Sequence, residues 1–238
     1  MTDALYLEDA TVRRFEARIE RALDDRVVLD RTHFYPEGGG QPADHGRLSA
    51  GERTLEVTDV QKRDTVYHHV DGETPAEGTT VTGELDWERR HAHMRYHTAQ
   101  HLLSAVLLER FDAPTVGNQL YDDRARIDAA HDRFTETDLG DVAARMNELI
   151  DRDLAVDWYT MDRERAEREL DTERTRIDLL PEGITELRIV EIGAAPFDRT
   201  ACAGTHVRST AALGEFVPTG RTTGGSDTER LSFRLEAP

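Results

Sequence analysis

Residues 87–111 read WERRHAHMRYHTAQHLLSAVLLERF. Neither glycine nor proline interrupts this run, and its apolar residues recur at helical spacing, at Leu102, Leu103, Val106 and Leu107. The run predicts one long helix whose second half is packed in a core. The chain changes character around it, from short β-like segments before the run to alternating strands and helices after it.

Two histidines of this predicted helix could bind one metal ion. His97 and His101 are four residues apart, which places both imidazoles on one face of a helix, one turn apart. The pair alone is weak evidence, because His91 and His93 stand in the same stretch, and His93 and His97 have the same spacing. Chance alone could supply one such pair.

A second pair of metal-type ligands lies in ACAGTHV, residues 201–207. Cys202 is the only cysteine of the chain and precedes His206 by four residues in a loop-like segment, whereas an inert buried cysteine more often lies in an apolar run. Imidazole nitrogen and thiolate sulfur together favour zinc, bound tetrahedrally. The two pairs predict one zinc site made of His97, His101, Cys202 and His206. The alternative to a zinc site is that these histidines are hydrogen-bonded within the structure and bind no metal.

The spacing also excludes one class of zinc enzyme. The HExxH motif of metalloproteases requires Glu directly after the first histidine, and Thr98 occupies that position.

The chain is strongly acidic, with 48 Asp and Glu against 30 Lys and Arg and a net charge of −18. Lys62 is its only lysine. At ~1 M salt the Debye length is about 3 Å, so repulsion between exposed carboxylates is largely screened. The charge fits either an acidic surface that avoids partners in an ordinary cytosol or a surface adapted to molar salt. The near-absence of lysine favours the second, so we take a halophilic source as a hypothesis. The acidic balance weakens an RNA-binding hypothesis without eliminating it, because phosphate neutralisation contributes little to affinity for any protein at molar salt.

Length and composition predict a cytoplasmic protein of two domains. The 238 residues contain no apolar run long enough for a membrane helix, and the N-terminus lacks the order of a secretory signal. A single cysteine suits a reducing compartment. We place the domains at residues 1–86 and 87–238.

The first domain is predicted to be a small β-domain. Five short segments with alternating or β-branched residues are separated by Gly, Pro and Asp: residues 11–20, 25–30, 53–60, 64–70 and 79–86. Between the second and third lies HFYPEGGGQPADHG, residues 33–46, which is too rich in Gly and Pro for regular structure. This segment predicts a shaped loop.

The second domain is predicted to combine antiparallel strands with helices. The pattern indicates strand, turn and strand over residues 115–129, an amphipathic helix capped by Thr137 or Asp138, and a strand at residues 155–160. A charged helix over 161–174, a strand at 186–193 and a closing hairpin over 214–238 follow. The predicted class is α+β, with a small β-barrel-like domain before an α/β domain.

The ordered motifs FYPEGGGQPADHG, RYHTAQHLL, VGNQLYDDRARID and CAGTHV resemble the alanyl-tRNA editing family. Over nearly the whole chain the resemblance is to freestanding proteins of the AlaX type, of the intermediate length that has an N-terminal β-domain. Threonyl-tRNA synthetases carry a similar module. The chain departs from the family's CGGTH and RxDF patterns at Ala203 and Ala129, which removes none of the proposed ligands.

The resemblance implies a zinc-dependent aminoacyl-tRNA deacylase that hydrolyses Ser-tRNA(Ala), or Gly-tRNA(Ala), in trans. The expected ligands of one Zn²⁺ are His97, His101, Cys202 and His206. Thr115 and Asn118 are candidates for recognising the serine hydroxyl, and Gln100 for positioning water. The loop residues Gly38, Gly39, Gly40 and Gln41 are candidates for contact with the tRNA end.

Two other functions remain open from the residues. One is a non-catalytic RNA-binding module in which zinc is structural. The other is a zinc hydrolase of small aminoacyl esters that does not act on tRNA.

Overall fold

The computed structural model describes residues 1–170, 175, 177, 183–194, 197–225 and 227–237. It confirms the predicted α+β class, because the strands pair antiparallel, apart from one short parallel pair, and helices accompany them. The chain divides into two compact units, Met1–Met94 and Arg95–Pro238. The boundary expected at residue 86 stays a prediction. In the described residues, no helix has the length and hydropathy needed to span a membrane.

A six-stranded barrel forms the first unit. The unit's strands are β1 (Asp3–Ala4), β2 (Arg14–Ala22), β3 (Arg26–Leu29), β4 (Arg31–Thr32), β5 (Gly46–Ala50), β6 (Arg53–Lys62), β7 (Val66–Asp71) and β8 (Thr80–Leu85). Six of them close in the order β2-β3-β7-β6-β5-β8, each paired antiparallel with its neighbours. Closure leaves the barrel strands without an open edge.

Alternation of apolar and polar residues places the barrel core. Along β6, for example, Leu55 and Val57 are buried while Glu56 between them is exposed. The five predicted strand segments overlap β2, β3, β6, β7 and β8. The sequence analysis missed β5, because GRLSA is short and directly follows the Gly-rich segment.

The Gly-rich segment is shaped by a hydrogen-bonded turn. Gly38 and Gln41 exchange two backbone hydrogen bonds of 3.0 Å each, and the Tyr35 hydroxyl donates to the carbonyl of Gly38 at 2.9 Å. Between them Gly39 and Gly40 have φ of 59° and 83°, in the left-handed region that favours glycine. The turn therefore explains two of the three consecutive glycines.

A buried ion pair holds the end of this segment. The Arg90 Nε donates to both carboxylate oxygens of Asp44, at 3.1 and 3.0 Å, and both side chains are fully buried. Arg90 also donates to the carbonyls of Ala10, at 2.9 Å, and His33. Asp44 accepts the backbone N–H of Tyr35 at 2.6 Å. Several parts of the chain thus meet at one charged pair whose hydrogen bonds offset its loss of water.

The second unit contains most of the helical residues. Its described elements are the rest of α1 (Trp87–Phe111), then β9 (Thr115–Leu120), β10 (Ala125–Ala129), α2 (Glu136–Asp151), β11 (Val156–Asp162), α3 (Arg163–Glu169), β12 (Glu186–Ile192), β13 (Asp198–Ala201), β14 (Phe216–Gly225) and β15 (Thr228–Leu235). One antiparallel sheet has the order β14-β15-β10-β9 and another the order β11-β12-β13. The predicted closing hairpin is β14 paired with β15.

The predicted cap of α2 was wrong, because the helix begins earlier than expected. Thr135, rather than Thr137 or Asp138, is the N-cap, and its hydroxyl accepts the backbone N–H of Asp138 at 3.2 Å. The Asp138 carboxylate accepts the Thr135 N–H in return, at 2.7 Å. Asp138 therefore completes a capping box from the third helical position.

The charged helix is shorter than predicted within the described residues. It runs from Arg163 to Glu169 as α3, while residues 171–174 of the prediction lie outside the described part. Ion pairs of 2.9 and 2.7 Å join Arg163 to Glu167 and Arg165 to Glu169. They follow the i,i+4 pattern of a solvated helix face.

The buried pair at Arg90 leads to a stability prediction. We expect Arg90→Met to lower the free energy of unfolding by about 3–5 kcal/mol, because Asp44 stays buried without its counter-charge. Adding Asp44→Leu should restore part of that loss, since both charges are then gone. Urea denaturation followed by circular dichroism measures both changes.

Arg47→Met is the matched control. Arg47 pairs with Glu56 at 2.8 Å on an exposed surface, so its loss should cost less than about 1 kcal/mol. Equal destabilisation by the Arg90 and Arg47 variants would contradict this account.

Candidate metal centre

Four predicted ligands meet in the second unit. Helix α1 carries His97 and His101, and the loop after β13 carries Cys202 and His206. Their ligand atoms all lie within 4.8 Å of one another. The three histidines are buried and Cys202 is half-buried. This group could therefore hold a metal ion.

The distances within the group fit a small tetrahedral ion. The Cys202 Sγ lies 3.5 Å from the His97 Nε2 and 3.4 Å from the His206 Nε2. A sulfur and a nitrogen bound tetrahedrally to one zinc are about 3.5 Å apart, given the usual Zn–S and Zn–N bond lengths. The Gly204 N–H donates to the same sulfur at 3.3 Å. The donor set and its spacing thus fit zinc.

Hydrogen bonds to Nδ1 orient two of the imidazoles. The His101 Nδ1 donates to the buried carboxylate of Asp198 at 3.0 Å. The His206 Nδ1 lies 3.1 Å from the Thr98 hydroxyl, which also accepts the Val207 N–H at 3.3 Å. Both rings therefore keep Nε2 for an ion, as in the carboxylate–histidine–metal arrangement.

A guanidinium group supports the loop that carries Cys202. The Arg188 Nη1, from β12, donates to the carbonyls of Cys202 at 2.8 Å and Gly204 at 3.1 Å. The Cys202 N–H donates to the Arg188 carbonyl at 3.0 Å. Hydrogen bonds between Arg188 and the loop backbone thus help to fix the position of the thiol.

The electrostatics of the group favour the metal-binding form of the thiol. Burial raises the pKa of Cys202, but the imidazoles of His97, His101 and His206 together lower it by more. The pKa therefore falls well below its ordinary value. Burial lowers the pKa of His101, while Cys202 and Asp198 raise it to about 9. Burial and His97 lower the pKa of His206 to about 3. A thiolate and a neutral imidazole are the forms that bind metal.

Of the predicted substrate residues, Thr115 contacts the helix that carries the histidines. Its hydroxyl lies 2.8 Å from the Ser104 hydroxyl. Ser104 follows His101 by three residues and Gln100 by four, so these side chains share one face of α1. The first residue of β9 therefore contacts the face that carries the metal-type ligands.

Gln100 and Asn118 contain buried oxygens with unused hydrogen-bonding capacity. Neither the Gln100 Oε1 nor the Asn118 Oδ1 has a hydrogen-bond partner among the described residues. Buried acceptors of this kind are uncommon, and a water or a ligand often supplies the missing donor. The roles of Gln100, Thr115 and Asn118 stay predictions.

The predicted loop residues Gly38, Gly39, Gly40 and Gln41 lie in the first unit, in the turn described above. Gly39 is exposed, whereas Gln41 is fully buried. Their contact with a tRNA end stays a prediction.

Sequence reasoning missed the residues that support the ligands. In the sequence Thr98 stands out only because it breaks the HExxH pattern, and Asp198 and Arg188 stand in no motif. Ser104 could have been found, because it lies one helical turn after Gln100. The others become visible only when β12 and β13 are placed beside the loop.

Comparison with known proteins matches a different family model to each of the two units. The family described as tRNA synthetases class II (A) matches residues 5–89, and the threonyl and alanyl tRNA synthetase second additional domain matches residues 187–232. The latter segment contains Cys202 and His206.

Whole proteins are also similar. The alanyl-tRNA editing protein AlaX-M of Methanosarcina barkeri is 38% identical over 218 residues, covering 88% of this chain and 89% of that protein. The protein of the same name from Methanosarcina acetivorans is 38% identical over 220 residues, with the same coverage. The alanine–tRNA ligase of Pyrobaculum neutrophilum is 39% identical over 220 residues, covering 90% of this chain and 24% of the ligase.

The hydrogen bond at His101 leads to a prediction about metal affinity. We expect Asp198→Asn to weaken binding of a divalent metal about 10–100-fold, because a neutral amide orients the imidazole less strongly than a carboxylate. Competition with a chromophoric chelator measures the affinity. Asp157→Asn, an exposed change on β11, is the control and should leave the affinity unaltered. Equal affinities of the two variants would refute the role of Asp198.

Proposed function

The chain belongs to the AlaX-M family of alanyl-tRNA editing proteins, and from this premise we propose that it hydrolyses mischarged Ser-tRNA(Ala) in trans, with Gly-tRNA(Ala) as a second substrate. The observation that carries the proposal is the convergence of His97, His101, Cys202 and His206. An aminoacyl ester is already activated, so its hydrolysis requires a positioned water, polarisation of the carbonyl oxygen and a selective pocket. Such editing takes place where tRNA is charged, which is consistent with the cytoplasm.

We propose zinc as the ion, held by these four residues. With all four ligands bound, zinc would organise the site or hold the substrate amine. If one ligand is displaced, zinc would act as a Lewis acid and activate water. Asp198 and Thr98 orient two of the imidazoles, and Arg188 holds the loop of the thiolate in place. These supporting residues reduce the reorganisation that the site must undergo during the reaction.

The proposed pocket selects serine through hydrogen bonds. Alanine lacks the hydroxyl of serine, and a site built to bind that group discriminates strongly because its own polar atoms stay unpaired without it. The Asn118 Oδ1 is a buried acceptor available for such a bond. The Thr115 hydroxyl can bond Ser104 and still serve a second partner. The Gln100 Oε1 is suited to accept a hydrogen bond from the attacking water.

The Gly-rich turn has a proposed role in binding the tRNA end. Gly39 is exposed, and a Cβ added there would meet no atom within 4 Å. Positive φ, rather than lack of space, is thus what favours glycine at this position. An exposed turn without side chains can bring its backbone close to a ribose or phosphate.

The principal test is deacylation of charged tRNA by the purified protein. We expect hydrolysis of Ser-tRNA(Ala) well above the spontaneous rate and Ala-tRNA(Ala) near background, across a range of KCl concentrations. Cys202→Ala should lower the rate about 100-fold or more, because a ligand is lost. It should also lower the zinc content below one ion per chain. Elemental analysis gives the zinc content.

His69→Ala is the control. His69 is a histidine on β7 of the barrel and not one of the four ligands, so this variant should retain both the zinc and the rate. Absence of turnover by zinc-loaded protein would favour a structural zinc module instead. Equal rates on Ser-tRNA(Ala) and on free serine methyl ester would favour the small-ester hydrolase.

A second test concerns Thr115. Thr115→Val keeps the shape of the side chain and removes the hydroxyl, so we expect kcat/KM for Ser-tRNA(Ala) to fall about 10–100-fold while that for Gly-tRNA(Ala) changes little. Thr115→Ser should restore most of the activity. Ser104→Ala breaks the 2.8 Å contact but keeps the Thr115 hydroxyl. If Ser104→Ala reproduces the defect in full, Thr115 does not recognise serine.

A further inference from the structure

Two guanidinium groups lie over the ring of Trp158, beside the loop that carries Cys202 and His206. The Cζ of Arg208 is 3.6 Å from the ring centroid, and that of Arg188 is 4.9 Å from it. Trp158 belongs to β11, and Arg188 belongs to β12, its antiparallel neighbour. Arg208 follows His206 by two residues. The ring thus lies beneath an arginine from the metal-binding loop itself.

The two arginines differ in their other contacts. Arg188 donates to the carbonyls of Cys202 and Gly204, so its charge serves the structure of the loop. Arg208 is exposed, and among the described residues no ion pair or side-chain hydrogen bond involves its guanidinium. Stacking on Trp158 covers a face of the guanidinium and leaves its N–H donors, which lie in the plane, directed outward.

Arg208 is an exposed arginine without a carboxylate partner among the described residues. The net charge is −18, and exposed arginines commonly have acidic partners, as Arg165 has Glu169 at 2.7 Å and Arg230 has Asp128 at 2.7 Å. An unneutralised guanidinium fixed by an aromatic ring is suited to bind phosphate in a bidentate manner.

The backbone of Arg208 is fixed relative to the metal centre. Its carbonyl accepts the Val156 N–H at 2.9 Å, and Ala155 forms a bridge with Ser209. Arg208 is therefore attached to the start of β11 on one side and to the ligand His206 on the other. Because the ester of an aminoacyl-tRNA is at the 3′ end, the phosphates nearest to the metal centre are those of the terminal nucleotides.

We propose that Arg208, stacked on Trp158, binds a backbone phosphate of the tRNA 3′ end. The proposal rests on the proposed function, since it assigns the substrate of the same site. It gives this acidic protein a local cationic contact where the substrate must be held. Because the contact involves phosphate, it contributes to affinity without reading base identity.

Arg208→Gln tests the proposal through binding and through kinetics. We expect it to weaken binding of a fluorescent acceptor-stem RNA hairpin roughly five- to tenfold, measured by anisotropy, and to raise the KM for Ser-tRNA(Ala) similarly with little change in kcat. The slope of log Kd against log salt should fall by about one, the value for one lost phosphate contact. Arg208→Lys should keep the slope and recover part of the affinity.

Arg133→Gln is the matched control, because Arg133 is also exposed and its replacement removes the same charge. It should leave the hairpin affinity and the salt slope near those of the unmodified protein. Zinc content and the rate on serine methyl ester, which contains no phosphate, should be equal in both variants. Equal affinities and slopes for Arg208→Gln and Arg133→Gln would overturn the proposal.

The hairpin measurement separates this proposal from the proposed function. If no variant hydrolyses Ser-tRNA(Ala) but Arg208→Gln still reduces the affinity and the slope, the phosphate contact is supported and the editing activity fails. If the unmodified protein hydrolyses Ser-tRNA(Ala) and Arg208→Gln leaves the KM unchanged, the proposed phosphate contact is refuted and the editing activity stands.

Discussion

Two hydrogen bonds on the outer side of the imidazoles determine what the histidine and cysteine group can do. His101 is oriented by Asp198 and His206 by Thr98, at 3.0 and 3.1 Å. With Nδ1 occupied, each ring keeps Nε2 for the interior of the group. Without these partners the buried rings could turn, and the nitrogens would no longer converge with the thiol of Cys202. The proposed chemistry therefore depends on this orientation as well as on the four ligands.

The charge distribution explains why the group is stable in one arrangement. The Cys202 thiol is surrounded by imidazoles that lower its pKa despite burial, and Cys202 and Asp198 together raise the pKa of His101. Buried ionised groups are tolerated when each has an opposite charge and hydrogen bonds. The same rule applies in the first unit, where Arg90 is buried with Asp44 and two carbonyls. In both units these buried charges lie beside an opposite charge and accept or donate hydrogen bonds.

The sequence allowed prediction of features that repeat at a fixed spacing. The pairs His97/His101 and Cys202/His206 are recognisable because the spacing of a helical turn and a short loop is encoded locally. The barrel strands β2, β6 and β7 follow from alternation of apolar and polar residues.

Features that depend on tertiary contacts could not be predicted in this way. Asp198 and Arg188 act on residues of other elements, and nothing near them in sequence marks that role. The cap of α2 was misplaced for a different reason, because Thr135 and Thr137 are both acceptable caps and only the reciprocal bonds with Asp138 distinguish them.

The four ligands connect parts of the chain that are far apart in sequence. His97 and His101 come from α1, whereas Cys202 and His206 lie in a loop after β13. An ion bound by both pairs cross-links the helix to this loop, so its binding free energy contributes to folding of the second unit. Arg188 and the Thr98 hydroxyl already hold the loop through backbone contacts, which reduces the ordering that the ion must impose. The same contacts fix the backbone that continues to Arg208. The ligands Cys202 and His206 and the proposed phosphate contact Arg208 therefore lie in one continuous segment. Contacts that order any part of this segment also help to order the rest.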